Sequence, residues 1–453
     1  MLNLLLLAAA VSAQDLQLSA CDSGSGYSAG GGASVAISTA DKKEGDAAFK
    51  VTLAQTPANA PYVRIDAPAS WGSYSGIRFW VKRVSGAEQG ASLQLLWTRH
   101  YAGFPLTSSW TEVSLRWQDF TQRLYQGSCE SLLGTVGAFE FTLAPGETHD
   151  GGSRGPLTFL VDNIRLVPGL SPLPTPLPAS PGLPITRARL DGGQSVKIVC
   201  LGTSITYGHV NGGGRLAVPW PAALQTRLRS DLGTTAITVL NYGVRGCKSW
   251  QGAAAIQDFV FREQPHMVLI EYLANDYVDA QTGNGVAEYR SNMERLFDLL
   301  LRWGQADVVV VRPNPYGKSG DTHHYDGYVA QLTSAATARN LFIADVYGSF
   351  LALPEATLLS YYLEPAVDYG HLNETGSAAW AEVTANALVS ELSASPSPPP
   401  PAPSTPKGDG GSGGGCGMTG AESLLVLAAA LIGRLTASSP TPGSTRPSRR
   451  RSG

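Results

Sequence analysis

Two different spacings of apolar residues divide the chain. Between about residues 20 and 167, apolar and polar positions alternate over short runs. Examples are Ser92–Trp97 (SLQLLW), Thr111–Arg116 (TEVSLR), Phe139–Leu143 (FEFTL) and Leu157–Val167 (LTFLVDNIRLV), separated by Gly, Pro and Ser. A period of two puts successive side chains on opposite faces of a strand. No stretch here sustains a helical period, so the segment is predicted to be all-β, a two-sheet sandwich or jelly roll. Between 185 and 393 the spacing changes. Continuous apolar runs at Val196–Leu201, Ala236–Leu240, Met267–Tyr272, Asp307–Val311 and Leu341–Val346 alternate with helical patterns over Pro219–Asp231, Gly252–Arg262, Asn284–Trp303, Tyr325–Ala338 and Glu374–Leu392. Strands that are apolar on both faces belong to a parallel sheet covered by helices. This second segment is therefore predicted to be α/β, with five strands in a three-layer, flavodoxin-like order. Its ligands are expected beyond the carboxyl ends of the strands.

Residues 168–184 (PGLSPLPTPLPASPGLP) and 394–415 (ASPSPPPPAPSTPKGDGGSGGG) interrupt both patterns and read as extended or flexible spacers. They account for much of an unusual composition, with 51 Gly, 30 Pro and only 15% charged residues in 453. The net charge of −3, with no basic stripe, excludes a broad nucleic-acid surface. Leu4 to Val11 is apolar but too short to span a bilayer. Val11-Ser12-Ala13 follows it, so residues 1–13 are expected to be a signal peptide cleaved before Gln14. Leu18-Ser19-Ala20-Cys21 offers an alternative lipoprotein box, and export follows either way. Residues 416–453 hold a cysteine, the apolar run Ser423–Gly433 and late arginines at 446 and 449–451, the make-up of a sorting or membrane-anchor tail.

Five cysteines suit an exported chain. One disulfide per segment, Cys21 with Cys129 and Cys200 with Cys247, is one reading, and a buried thiol at Cys200 is another. No Cys-x-x-Cys or Cys/His cluster suggests a metal.

Candidate chemistry gathers where the second segment's strands end. Leu201-Gly202-Thr203-Ser204-Ile205-Thr206-Tyr207-Gly208 follows the first strand, and Asn241-Tyr242-Gly243-Val244-Arg245-Gly246 the second. Leu273-Ala274-Asn275-Asp276 follows the third, and Asp368-Tyr369-Gly370-His371-Leu372-Asn373 precedes the last helix. In this order and at these elements, the four blocks resemble the SGNH (GDSL-type) hydrolases. The resemblance implies that Ser204 is a nucleophile, His371 its general base and Asp368 the group that orients the imidazole. It also implies that the N–H groups of Ser204 and Gly243 and the amide of Asn275 form an oxyanion hole. Thr203 stands where the family commonly has Asp, and Leu273 where it commonly has Gly. No cofactor is expected for this chemistry.

In the first segment, Gly76–Lys82, Trp110–Val113 and the closing strand resemble galactose-binding-like jelly rolls, which include many carbohydrate-binding modules. That resemblance makes Trp71, Tyr74, Trp97 and Tyr101, with Trp110, candidates for stacking on sugar rings. Similar modules often hold a structural calcium where Glu44 and Asp162 stand, and ordinary solvated carboxylates are the other reading. The tail resembles the MYXO-CTERM sorting tails of myxobacterial surface proteins. Together the resemblances imply an extracellular or surface-held carbohydrate esterase that removes acetyl groups from an acylated polysaccharide. A lipase or lysophospholipase-type esterase is the enzyme alternative, and a non-catalytic glycan-binding adhesion protein the other. The sequence does not give the oligomeric state.

Overall fold

The computed structural model describes residues 14–55, 60–66, 71–96, 100–122, 128–143, 154–279, 285–364 and 368–394. The expected signal peptide, the second spacer beyond Ala394 and the tail lie outside these residues, as does Trp97.

Residues 16–167 form two antiparallel sheets. One is built around the long strand Arg154–Val167, which pairs with Ala48–Gln55 on one side and Gly76–Ser85 on the other. The other is centred on Ala138–Thr142, paired with Tyr62–Asp66 and Gly90–Leu95. Alternation sends Phe79, Phe104, Phe141 and Phe159 into one core, where their rings meet edge to face at 5.2–6.4 Å.

Residues 196–345 supply the parallel sheet. Its strands are β1 (Val196–Gly202), β2 (Ile237–Gly243), β3 (Met267–Glu271), β4 (Asp307–Arg312) and β5 (Phe342–Asp345), in the order β2-β1-β3-β4-β5. The helices used below are α1 (Ser204–Tyr207), α2 (Trp220–Asp231), α3 (Ser249–Ala254), α4 (Ile256–Phe259), α5 (Ala274–Asp279), α6 (Gly285–Trp303), α7 (Asp326–Thr337) and α8 (Glu374–Ser393). The pleat divides β1 between two cores. Val199 and Leu201 face α6 and α7, while Ile198 and Cys200 face α2 and α8. Trp220 of α2 stacks on Trp380 of α8 at 5.6 Å to seal the second layer. Among the described residues, no helix is long and apolar enough to cross a membrane.

Three expectations need correction. The helix anticipated over Gly252–Arg262 is broken into α3, α4 and a 3-10 turn at Phe261–Glu263. Cys21, Cys129, Cys200 and Cys247 are buried free thiols. Cys200 and Cys247 belong to cores on opposite faces of the sheet, so the sheet itself keeps them apart. The first spacer does not hang free. Ser171 O accepts from Arg116 Nε, and Ala179 N–H donates to Arg339 O at 2.8 Å. Ala179 O in turn accepts from Asn340 Nδ2 at 2.7 Å, and the segment lies along the α/β surface as an extended strap.

Candidate active site

Parallel register brings the strand ends level. Gly202 pairs with Gly243 on one side and with Glu271 on the other. The chain leaving β1 turns at once into α1. Thr203 caps this helix, its Oγ1 accepting from Ile205 N–H at 3.2 Å, so the cap is the residue before Ser204 rather than Ser204 itself. Ser204 is 9% exposed. Gly243 has no room for a side chain, since a Cβ there would stand 2.1 Å from Tyr207 N.

Three groups meet in one hydrogen-bonded line. Ser204 Oγ–H donates to His371 Nε2 at 2.8 Å, and His371 Nδ1–H donates to Asp368 Oδ2 at 2.8 Å. Asp368 Oδ1 accepts the N–H groups of Gly370 (3.1 Å) and His371 (3.0 Å), so one carboxylate fixes both the turn and the ring. Burial works to raise the Asp368 pKa, but the hydrogen bonds and charge of His371 outweigh it and hold the carboxyl at about 2. The strand Asp368–Leu372 is pinned from below, with Gly370 O accepting from Asn314 Nδ2 and Tyr369 O from Gly317 N–H.

The expected oxyanion donors are engaged differently from one another. Asn275, on α5, donates Nδ2–H to Cys247 O at 2.9 Å, and its second Nδ2 hydrogen remains for a ligand. Gly243 N–H donates to Asn241 Oδ1 at 2.9 Å, and Asn241 Nδ2 donates to Thr206 O at 2.7 Å. Asn241 thereby ties the Gly243 loop to the turn that carries Ser204. Its place in the motif drew no attention in the sequence.

Glu271 also went unread as a site residue. It is fully buried at the end of β3. Its Oε2 accepts Thr203 N–H, Thr203 Oγ1–H and Thr206 Oγ1–H, each at 2.9 Å. Burial raises its carboxyl to about 7 despite those bonds. The signal was available, for an acidic residue closing an otherwise apolar run must have partners. His209 is a further residue the sequence did not mark. Its ring stands edge-on to His371, with centroids 4.7 Å apart. Beside Asp368, the rings of Tyr316 and Tyr369 lie 5.1 Å apart, and His324 stacks on Tyr316 at 4.6 Å rather than facing solvent freely.

Among the described residues, the candidate sugar-stacking side chains are buried or half-buried at separate places. Trp71 is fully buried against Trp117 and Phe139. Tyr101 is 3% exposed and stacks on Trp250 of the second segment at 4.6 Å. Tyr74 is half-buried against the sandwich core, and Trp110 is half-buried with its Nε1–H donated to Asp41. The carboxylates expected near a calcium ion are hydrogen-bonded within the sandwich. Glu44 is engaged by Trp80 Nε1–H and Asn163 Nδ2–H, and Asp162 Oδ2 takes the N–H groups of Lys43 and Glu44. Asp162 Oδ1 is buried without a partner, but among the described residues no three His, Cys, Asp or Glu side chains come together to hold a metal.

Comparison with known proteins bears on the second segment. Residues 200–379 match the model of the GDSL-like lipase/acylhydrolase family. This stretch is similar to the GDSL/SGNH hydrolases. The match supports an ester hydrolase with a parallel sheet. Similar solved structures include the lipase/acylhydrolase from Enterococcus faecalis, at 23% identity and TM-score 0.37, covering 43% of this chain and 96% of that one. The acetylxylan esterase Axe2 from Geobacillus stearothermophilus is similar at 21% identity and TM-score 0.35, covering 45% and 96%. LAE5, an α/β hydrolase enzyme from the metagenome of Lake Arreo, Spain, is similar at 21% identity and TM-score 0.35, covering 44% and 95%. No curated protein matches the chain.

Proposed function

We propose that the protein is an exported serine esterase that removes acetyl groups from an acylated polysaccharide. The observation that carries this reading is the line Asp368–His371–Ser204, at 2.8 Å per link. His371 Nε2 takes the Ser204 proton as Oγ attacks the ester carbonyl. The negative oxygen of the tetrahedral intermediate is met by Ser204 N–H and the spare Asn275 hydrogen, and by Gly243 N–H once it turns from Asn241. His371 then gives its proton to the sugar alkoxide, which leaves. A water molecule, deprotonated by His371, attacks the acyl-enzyme, and acetate and free Ser204 result. Asp368 stays ionised throughout and stabilises the imidazolium.

A sugar rather than a lipid is favoured by the surroundings. Tyr316, Tyr369 and His324 flank the Asp368 side, and Arg245 lies on the loop after Gly243. A lipase acting at an interface needs an apolar collar. The large apolar side chains exposed among the described residues are Leu16, Ile37, Val84, Leu177 and Val218, scattered over the sandwich, the strap and the α/β segment. Export and surface attachment rest on the sequence of residues 1–13 and 416–453.

The test is hydrolysis of 4-nitrophenyl acetate, then acetate release from acetylated polysaccharides against release of long-chain acids from lipid esters. Ser204→Ala is expected to lower kcat by roughly 10⁴-fold or more. Unchanged turnover by this variant refutes the mechanism, and preference for long acyl chains refutes the acetyl assignment.

A further inference from the structure

The two folded segments meet over a fitted contact. The strands Gly90–Leu95 and His100–Pro105 press on α3 and α4 so closely that Gly90 and Gly103 have no room for a side chain. A Cβ at Gly103 would stand 2.3 Å from Ala254 O, and one at Gly90 would stand 2.5 Å from Gln257 Cβ. Asp258 Oδ1 accepts the N–H groups of Gln89 (2.7 Å) and Gly90 (3.1 Å). Thr121 Oγ1–H donates to Trp250 O at 3.2 Å and Ser92 Oγ–H to Ala254 O at 3.3 Å, while Tyr101 covers the Trp250 ring. Arg295 of α6 reaches Asp119 at 2.8 Å, both side chains largely buried. Backbone packed against backbone across such a contact leaves little freedom for the segments to swing.

The far side of α3 holds the oxyanion donor. Ser249 at its start gives both Oγ–H (2.6 Å) and N–H (3.1 Å) to Asp276, the neighbour of Asn275. Cys247 O, two residues earlier, receives the Asn275 amide. Gly252 lets the helix lie directly on the Tyr272 ring, where a Cβ would stand 2.6 Å away. This short helix is therefore clamped between the sandwich on one side and the Asn275–Asp276 turn on the other.

We propose that the β-sandwich is a positioning element of the esterase site: by clamping α3 it fixes the Cys247–Ser249 turn that aims the Asn275 amide. The inference rests on the esterase reading above and adds to it a role for the first segment that does not depend on glycan binding. The sandwich is needed even for a small soluble ester. Misplacement of a catalytic group by about 1 Å can cost about a hundredfold in rate, so loosening the clamp acts on turnover rather than on substrate capture.

The experiment uses the full chain. Tyr101→Ala combined with Gly103→Val wedges the contact from the sandwich side without touching the α/β core. Turnover of 4-nitrophenyl acetate is measured per Ser204 titrated with a fluorophosphonate, so that unfolded protein does not count. Hydrogen exchange is followed over Cys247–Ala254. The expected result is a fall in kcat of about tenfold, KM within about twofold, and faster exchange of α3. Tyr101→Phe is expected to keep wild-type values of both, as is Ile37→Ala on the other sheet. If the double variant does not fold, Tyr101→Ala alone carries the same readouts. Wild-type kcat alongside faster α3 exchange overturns the proposal, and so does unchanged α3 exchange. A wild-type protein that turns over no ester sinks the esterase reading instead, while the exchange measurement still decides whether the sandwich holds α3.

Discussion

The two segments each bury carboxylates, and they use them differently. In the sandwich, Asp162 lies inside the fold and accepts Lys43 and Glu44 N–H groups, so its carboxylate organises a loop. In the α/β segment, Asp368 accepts two backbone N–H groups in the same way, but its second oxygen faces an imidazole that in turn faces a hydroxyl. An acid with backbone N–H partners, fully buried at Asp162 and half-buried at Asp368, is thus the common structural device. What makes one of them a candidate for catalysis is the parallel sheet, which levels several strand ends and delivers unlike groups to one place. The antiparallel sheets fill their middle with apolar side chains, aliphatic and aromatic.

The contrast is open to attack from both sides. Trp71→Ala, which removes a fully buried ring from the sandwich core, is expected to cost about 3–5 kcal/mol in denaturant unfolding, with kcat per titrated site unchanged. A loss of polysaccharide binding without loss of stability would instead return Trp71 to a glycan surface. Asn275→Ala is expected to reduce kcat by about a hundredfold, or roughly 3 kcal/mol of transition-state stabilisation, while stability changes little. The smallest effect is that of Glu271→Gln. Because burial raises the Glu271 carboxyl to about 7, the folded chain keeps a proton that the unfolded chain releases from about pH 4.5 upward. Wild-type stability from this group is therefore present at low pH and lost as pH rises through 7. The glutamine variant escapes that loss. Denaturant midpoints at pH 5 and pH 8 are expected to move in its favour by on the order of 1–3 kcal/mol at the higher pH. A flat difference would mean that Glu271 stays ionised in the fold.

Much of the α/β architecture could be read from the chain because a strand buried on both faces leaves an unbroken apolar run. Met267–Ile270 is buried at every position, and so are Val308–Val311. The helix Gly285–Trp303 was legible for the complementary reason, since one apolar stripe repeats along it. The residues brought to the strand ends could be named only through the resemblance, as nothing local in Gly-Thr-Ser or Asp-Tyr-Gly-His says that 167 residues of chain separate two bonded atoms. The aromatics were hard to place for another reason. Whether Tyr101 faces water depends on what docks there, and its partner Trp250 lies in the other segment. The break between α3 and α4 has the same origin, because Asp258 and the carbonyls of Trp250 and Ala254 serve strands of the sandwich rather than one continuous helix.

The strap of residues 168–184 carries a thermodynamic consequence. A proline-rich tether between two independent bodies would let each melt at its own temperature. This one is hydrogen-bonded to both segments, through Leu170 N–H to Ser75 Oγ and through Ala179 to Arg339 and Asn340. Unfolding either segment strips the strap and the shared contact from the other, so the two lose their order together. Calorimetry is expected to record one transition for residues 14–394, with an enthalpy that belongs to the whole body.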